Sequence, residues 1–162
     1  MAIDTNVLVR IFIQDPPAPN RCAAARRLVA KATAAGEPIF VSLHALLETE
    51  CILRSHYKVH RKTVATAFIS LLETPGIEFE HDATVKEALY LLYLLDQVPS
   101  ADFADCLRAV RATHLGRSRL VTFGAGAARL PRRELQQWPA NPEASAVGHE
   151  QSSWEGPYRV GY

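Results

Sequence analysis

Four carboxylates stand where this sequence changes element, and carboxylates gathered in one place can do only a restricted chemistry. Asp4 ends the apolar start Met1-Ala2-Ile3 and precedes Thr5-Asn6; Glu48 lies in Leu46-Leu47-Glu48-Thr49-Glu50; Asp102 and Asp105 open Ala101-Asp102-Phe103-Ala104-Asp105. Acids brought together repel one another at neutral pH unless a cation, a proton or a basic group offsets the charge. A hard divalent ion is the natural partner: Mg²⁺ takes oxygen ligands, keeps several waters and bridges to phosphate oxygens. Two such ions about 3.5 to 4 Å apart can activate a water and stabilise the leaving oxygen of a phosphodiester. Each acid also has a structural use. Asp4 is well placed to cap the following helix, with Thr5 and Asn6 of the same capping type. Asp102 stands where an N-cap is wanted, and Asp105 three residues on resembles the acidic arm of a capping box. The spacing weighs capping and metal binding about evenly for Asp102. For Asp105 it favours the metal, because a first-turn residue can point into a crevice while Asp102 holds the turn. Glu48 and Glu50, two apart on a helix, face nearly opposite ways, so only one can serve such a site, and periodicity barely separates them.

The elements that must position these acids alternate along the chain. A first strand ends on Asp4, and the apolar run Val7 to Ile13 follows as a short helix broken by Asp15-Pro16-Pro17. Arg21 to Ala35 has helical rhythm up to Gly36, and Ile39-Phe40-Val41-Ser42 fits a buried parallel strand whose Ser42 can cap the next helix, Leu43 to Tyr57. Lys58 to Leu72 forms another helix, and Ile77 to Glu80 alternates as a strand. Asp82 or Thr84 opens a helix whose apolar side, from Val85 to Leu95, is too broad for a surface helix and predicts deep packing or a partner. The helix opened by Asp102 runs to about Leu115, Gly116 closes it, and Arg119 to Phe123 reads as the last clear strand. This order predicts an α/β fold of three layers, α/β/α, with a central parallel sheet of four to five strands and helices on both faces. In an open sheet of this kind the crevice at the carboxyl ends of the strands, where Asp4 falls, is where ligands sit.

With 162 residues, 48% apolar and 22% charged, the chain fits one soluble domain with a core of its own. Residues 1–138 account for that domain, and 139–162, which mix Pro, Gly, Ser and isolated aromatics without period, read as a flexible or divergent tail. No apolar run is long enough for a bilayer, no secretory signal is recognisable, and three scattered cysteines argue against a disulfide framework, so a reducing, cytoplasmic setting with buried thiols is expected. The net charge of +1 conceals an uneven distribution: between Cys106 and Arg133 there are seven arginines and no acid. Arg108, Arg111, Arg117 and Arg119 are the RNA-binding candidates among them, since a basic rim beside a carboxylate cluster gives phosphate oxygens a place to go.

Three segments carry a family resemblance. Ala2-Ile3-Asp4-Thr5-Asn6-Val7-Leu8-Val9-Arg10, Leu46-Leu47-Glu48-Thr49-Glu50-Cys51-Ile52-Leu53-Arg54-Ser55 and Ala101-Asp102-Phe103-Ala104-Asp105-Cys106-Leu107 resemble the PIN-domain ribonucleases, and more narrowly the VapC toxins of bacterial toxin–antitoxin pairs. The similarity runs in order from Met1 to roughly Leu135. It implies a PIN-type fold and Mg²⁺- or Mn²⁺-dependent cleavage of RNA. On that resemblance Asp4, Glu48 and Asp105 match the catalytic metal-binding acids, and Asp102 matches a metal-binding acid seen beside the third. Thr5 and Asn6 match the polar pair that orients the first acid, Ser42 and Thr122 fall in supporting positions, and Glu50 falls on a position that is not catalytic. A VapB-like antitoxin and a homodimer are the partners implied, with the apolar helix Val85 to Leu95 offering a partner a surface.

One segment departs from the pattern. Where the family's last strand runs into Thr-Phe-Asp, this chain reads Thr122-Phe123-Gly124-Ala125-Gly126-Ala127, so a glycine stands in the place of the fourth acid. Two readings follow: an active metal-dependent endoribonuclease, or a degenerate PIN domain that binds an antitoxin or RNA and cuts poorly. A phosphotransfer domain with Asp4 as nucleophile is a remote third, because Val7 to Arg10 lacks the acid or Thr pattern it would want.

Overall fold

The computed structural model describes residues 1–14, 19–94, 101–117, 120 and 130. They form three strands and six helices: β1 (Ala2–Ile3), α1 (Thr5–Phe12), α2 (Pro19–Ala34), β2 (Ile39–Val41), α3 (Leu43–Ser55), α4 (Arg61–Leu72), β3 (Ile77–Phe79), α5 (Asp82–Leu94) and α6 (Phe103–His114). The sheet is parallel in the order β1-β2-β3, with Ala2 opposite Phe40, Ile3 opposite Val41 and Val41 opposite Phe79. All three strands therefore end at one edge. The α/β class is as expected, whereas the described residues contain three strands, fewer than the four to five predicted; the last expected strand, Arg119 to Phe123, and the tail 139–162 lie outside the described residues apart from Leu120.

Alternation along these short strands divides the sheet faces. Ile3, Ile39, Val41, Ile77 and Phe79 are buried, while Ala2, Phe40 and Glu78, which are paired across the opposite face, are exposed. The expectation of a buried strand at Ile39 to Ser42 holds for Ile39 and Val41 and not for Phe40, which is 38% exposed.

Helix packing fixes where the acids can lie. Helix α1 packs on both α2 and α3, and α5 packs on both α4 and α6. The broad apolar side of α5 is explained by that sandwich: Val85, Ala88, Leu89, Leu91 and Leu92 are buried against its own chain, and the large apolar residues of α5 that are exposed are Tyr93 and Leu94 at its end. Aromatic contacts tie the two acid-bearing helix starts to one scaffold. Phe12 at the end of α1 meets Phe68 of α4 with ring centroids 5.5 Å apart, and Phe68 meets Phe103, the residue after Asp102, at 6.1 Å. All three rings are fully buried, and each such pair contributes about 0.5 to 1.5 kcal/mol beyond its buried area.

Local chemistry sets most boundaries. Gly36 and Gly116 take φ near +66°, the left-handed conformation that closes α2 and α6. Helix α4 begins at Arg61, three residues later than the apolar rhythm suggests, because Lys58 is itself left-handed at φ 56° and His60 supplies the cap. Among the described residues no helix is long and apolar enough to cross a membrane. Cys22 and Cys106 are buried as expected, but Cys51 is exposed: α3 turns it outward beside the buried Glu50.

Candidate active site at the carboxyl edge of the sheet

Asp4 leaves β1 in extended conformation and caps α1, its Oδ1 accepting from the amide of Val7 at 2.9 Å. Its other oxygen has no hydrogen bond among the described residues and lies at the exposed edge. The next residue brings in the second acid: Thr5 Oγ1 donates to Glu48 Oε2 at 2.5 Å, joining the start of α1 to α3. His44, one turn earlier on α3, places Nε2 3.2 Å from the other Glu48 oxygen. Asn6 serves differently, its backbone carbonyl accepting from Arg10 Nη1 at 2.8 Å. So Thr5 supports the second acid and Asn6 supports an arginine, while the oxygen of Asp4 that is engaged is held by backbone.

The start of α3, which carries Glu48, is fixed twice. Ser42 caps it, Oγ accepting from the amide of Ala45 at 3.2 Å, and Glu80, just past β3, accepts from the amide of Leu43 at 2.8 Å. Both groups answer free first-turn amides, so Glu48 rides on a helix whose position is tied to the ends of β2 and β3. His81 takes φ 56° beside it, letting α5 begin directly after the strand.

At the third place both acids are employed in a complete capping box. Asp102 Oδ1 accepts from the amide of Asp105 at 2.7 Å, and Asp105 Oδ2 accepts from the amide of Asp102 at 3.4 Å. Asp105 Oδ1 is also paired with Arg108 one turn on. The turn before the box is held by Arg61, a buried guanidinium that donates from Nη1 to the carbonyl of Ala101 at 2.8 Å. Glu50 extends this group. It is buried, pairs with Arg54 at 3.4 Å, and its carboxyl is pushed above the usual range by burial, with Arg54 opposing that shift and the charge of Asp102 adding to it. The two glutamates of α3 thus look opposite ways, as their spacing requires: Glu48 toward α1, Glu50 toward the Asp102 turn. Burial, then the charges of Asp102 and Asp105, pushes the Cys106 thiol up to about 12, so it is an inert part of the core.

The donor set suits a hard divalent ion, since every acid offers oxygen and Mg²⁺ is commonly held by one or two carboxylates with waters and phosphate completing the shell. Glu48 is tied to Thr5, the residue that follows Asp4. Among the described residues no three His, Cys, Asp or Glu side chains are close enough to hold one ion between them, so the acids as placed form no closed cage. Their oxygens match the donor preference of a hard divalent ion, but as placed they do not close on one.

Beside Asp105 lies a cavity of about 520 Å³ lined by Leu43 of α3, Glu80 and His81 after β3, and Arg108, Arg111 and Arg117 in and after α6. Three of the four arginines predicted to hold RNA are therefore gathered in one concave surface at the carboxyl edge. Arg119 and Thr122 lie outside the described residues. Sequence reasoning missed Glu80 as the second cap of α3, Arg61 as the anchor of the Asp102 turn, and Arg10 with Arg21, which line one cavity between α1 and α2. The signal for Glu80 was available in its place after a strand, whereas the others depend on contacts between helices distant in sequence. Comparison with known protein families matches residues 1–133 to the PIN domain. The same comparisons match no curated protein and no solved structure.

Proposed function

Because this chain belongs to the PIN-domain family, whose members are generally nucleases that use divalent metal ions, we propose that it is an endoribonuclease of the VapC toxin type, cleaving RNA phosphodiesters with Mg²⁺ or Mn²⁺. The observation that carries this reading is the hydrogen bond from Thr5 to Glu48, which brings the second acid to the residue next to Asp4 at the edge where the strands end. On this reading Asp4, Glu48 and Asp105 are the acids that would supply hard oxygens to divalent ions, with Asp102 beside Asp105, although as placed no three of them close on a single ion. When bound, the ion lowers the pKa of a coordinated water and offsets the charge of the phosphodiester. Thr5 orients Glu48, Ser42 fixes the helix that carries it, and Arg108, Arg111 and Arg117 hold the RNA backbone through its phosphates. The resemblance of the three acid-bearing segments to VapC toxins supports a VapB-like antitoxin as partner, a homodimer, and a cytoplasmic setting.

The test is incubation of the purified protein with total RNA and Mg²⁺ or Mn²⁺, beside Asp4→Asn, which keeps a capping oxygen and removes the charge. Cleavage by the wild type, its loss in EDTA and its loss in the variant are expected; equal cleavage by both proteins would sink the site. Gly124 in the place of a fourth acid favours a second reading, a PIN domain with weakened catalysis that acts by binding an antitoxin or RNA. On that reading Gly124→Asp raises activity, and an already active wild type unchanged by the substitution counts against it.

A further inference from the structure

A second cavity, of about 590 Å³, opens between α1 and α2 and is lined by Asp4, Asn6, Val7, Arg10, Arg21, Ala24, Ala25 and Leu28. Its volume is in the range of about 300 to 1,000 Å³ typical of small-ligand pockets. The sheet order places it at the β1 end of the carboxyl edge, while the cavity of Arg108, Arg111 and Arg117 lies at the ends of β2 and β3. Asp4 borders it, and Glu48 reaches the next residue, so the acids stand between two basic hollows. Two guanidiniums enter this one from different helices. Among the described residues neither Arg10 nor Arg21 has an ion pair, in a chain where Arg54 and Arg108 do. Arg10 is oriented by Asn6 through Nη1, and its Nε is buried without a hydrogen-bond partner. That nitrogen is enclosed by the protein, so what the cavity offers a ligand is the charge of two guanidiniums that no carboxylate among the described residues pairs with. The rest of the lining is apolar or small, from Val7 of α1 across Ala24, Ala25 and the partly exposed Leu28 of α2. That combination suits a phosphate on the guanidiniums with the attached ribose or base laid along the helix surface.

We infer that the α1–α2 cavity is a second RNA subsite, in which Arg10 and Arg21 hold a backbone phosphate on the side of Asp4 away from the Arg108, Arg111 and Arg117 cavity. The inference rests on the reading of the acid edge as a ribonuclease site, and adds to it a path: the strand is gripped on both sides of the acids. Gripping both sides fixes the phosphodiester between them, which is how binding away from the reacting atoms contributes to rate. An acidic segment of a protein would also find two cations here, and guanidinium pairs bidentately with carboxylate and phosphate alike; RNA is favoured because the cavity is lined by Asp4, the acid that RNA must reach on this reading.

The test uses the full chain in EDTA, so that binding is read without cleavage, and a fluorescein-labelled single-stranded oligoribonucleotide of mixed sequence. Arg21→Ala and Arg21→Glu are compared with Arg27→Glu, which makes the same charge change at an exposed position of α2 outside the cavity. Expected are a roughly tenfold weaker Kd for Arg21→Glu, an Arg21→Ala salt slope about 0.7 shallower than wild type, and little change for Arg27→Glu. All variants should melt as the wild type does, since both positions are on the solvent side of the helix. Equal weakening by Arg21→Glu and Arg27→Glu overturns the subsite and leaves a diffuse field. RNA bound by the wild type and unaffected by Arg21→Glu overturns the subsite alone, whereas a wild type that neither binds nor cleaves RNA overturns the ribonuclease reading beneath it. Loss of polyglutamate binding in Arg21→Glu with RNA binding unchanged assigns the cavity to an acidic protein segment and overturns the RNA assignment.

Discussion

Asp102 offers a clean separation of two roles that one carboxylate can play. Its Oδ1 accepts from the amide of Asp105 at 2.7 Å, and its charge is one of the influences that raise the pKa of buried Glu50. Loss of an N-cap by substitution to alanine costs about 0.5 to 2 kcal/mol. Here the cap is half-buried and belongs to a reciprocal box, so the upper half of that range, about 1 to 2 kcal/mol, is expected for Asp102→Ala. For a domain of this size that corresponds to a melting temperature lower by about 2 to 8 °C. Asp102→Asn keeps an oxygen that accepts from the same amide and removes the charge that disfavours ionised Glu50, so its stability should stay within about 0.5 kcal/mol of wild type. Thermal and urea unfolding at neutral pH read both variants. An asparagine variant that melts as low as the alanine variant refutes the capping argument, because the oxygen would then not be what Asp102 contributes. Cleavage of RNA in the same preparations reads the other role: a stable Asp102→Asn protein that has lost cleavage assigns the charge to the metal site, and one that cleaves normally confines Asp102 to the turn.

Three further outcomes are expected. Thr5→Val removes the donor to Glu48; a hydrogen bond to a charged group is worth about 1.5 to 3 kcal/mol, and with Glu48 half-exposed about 1.4 kcal/mol should survive solvent screening, a tenfold loss of cleavage rate that Thr5→Ser restores. A Thr5→Val protein as active as wild type removes Thr5 from any positioning role. Glu50 has its carboxyl raised in the folded state, so the native protein binds more protons there than the unfolded chain, and its contribution falls as pH rises from the ordinary carboxylate value through the raised one. Glu50→Gln should therefore gain stability relative to wild type as pH rises from the ordinary carboxylate range upward, as read by melting temperature, and a difference that stays constant with pH contradicts this. Cys51 is exposed while Cys22 and Cys106 are buried, so a thiol reagent should modify Cys51 in the native protein and the other two only in denaturant; prompt native labelling of Cys106 contradicts its burial and its pKa of about 12.

What the sequence revealed most directly was chemistry settled within a few residues. Asp4 and Ser42 as caps, the Asp102 and Asp105 box, and the helix ends at Gly36 and Gly116 all follow from which side chain can reach which free amide or carbonyl, a reach of about one turn. The parallel order of β1 to β3 followed from strands separated by helices. The burial of Glu50 was not legible, because helical spacing says only that it opposes Glu48 and not which side meets α6. The breadth of the apolar side of α5 was legible, but its cause was left between core and partner until α4 and α6 were seen to cover it. Arg10 and Arg21 carry no local signal at all, since their cavity exists only where α1 and α2 face each other.

The acids at this edge share a property that governs how the site can be tested. Asp4 caps α1, while Asp102 and Asp105 cap α6 between them, so three of the four candidate ligands also hold the helix that presents them. A carboxylate that fixes its own backbone arrives at the site without extra ordering cost, which is an advantage for a metal ligand and a trap for mutagenesis. Alanine at any of the three removes ligand and cap together, and lost activity would then follow from a frayed helix as readily as from a lost ion. Asparagine keeps the acceptor at each N-cap and removes the charge, so the amide variants of Asp4 and Asp102 isolate the metal role. Glu48 differs: among the described residues its carboxylate is held by the side chains of Thr5 and His44, on a helix whose start is fixed independently by Ser42 and Glu80. Glu48→Gln and even Glu48→Ala should thus leave the fold intact, which makes Glu48 the position where loss of cleavage bears most directly on the chemistry.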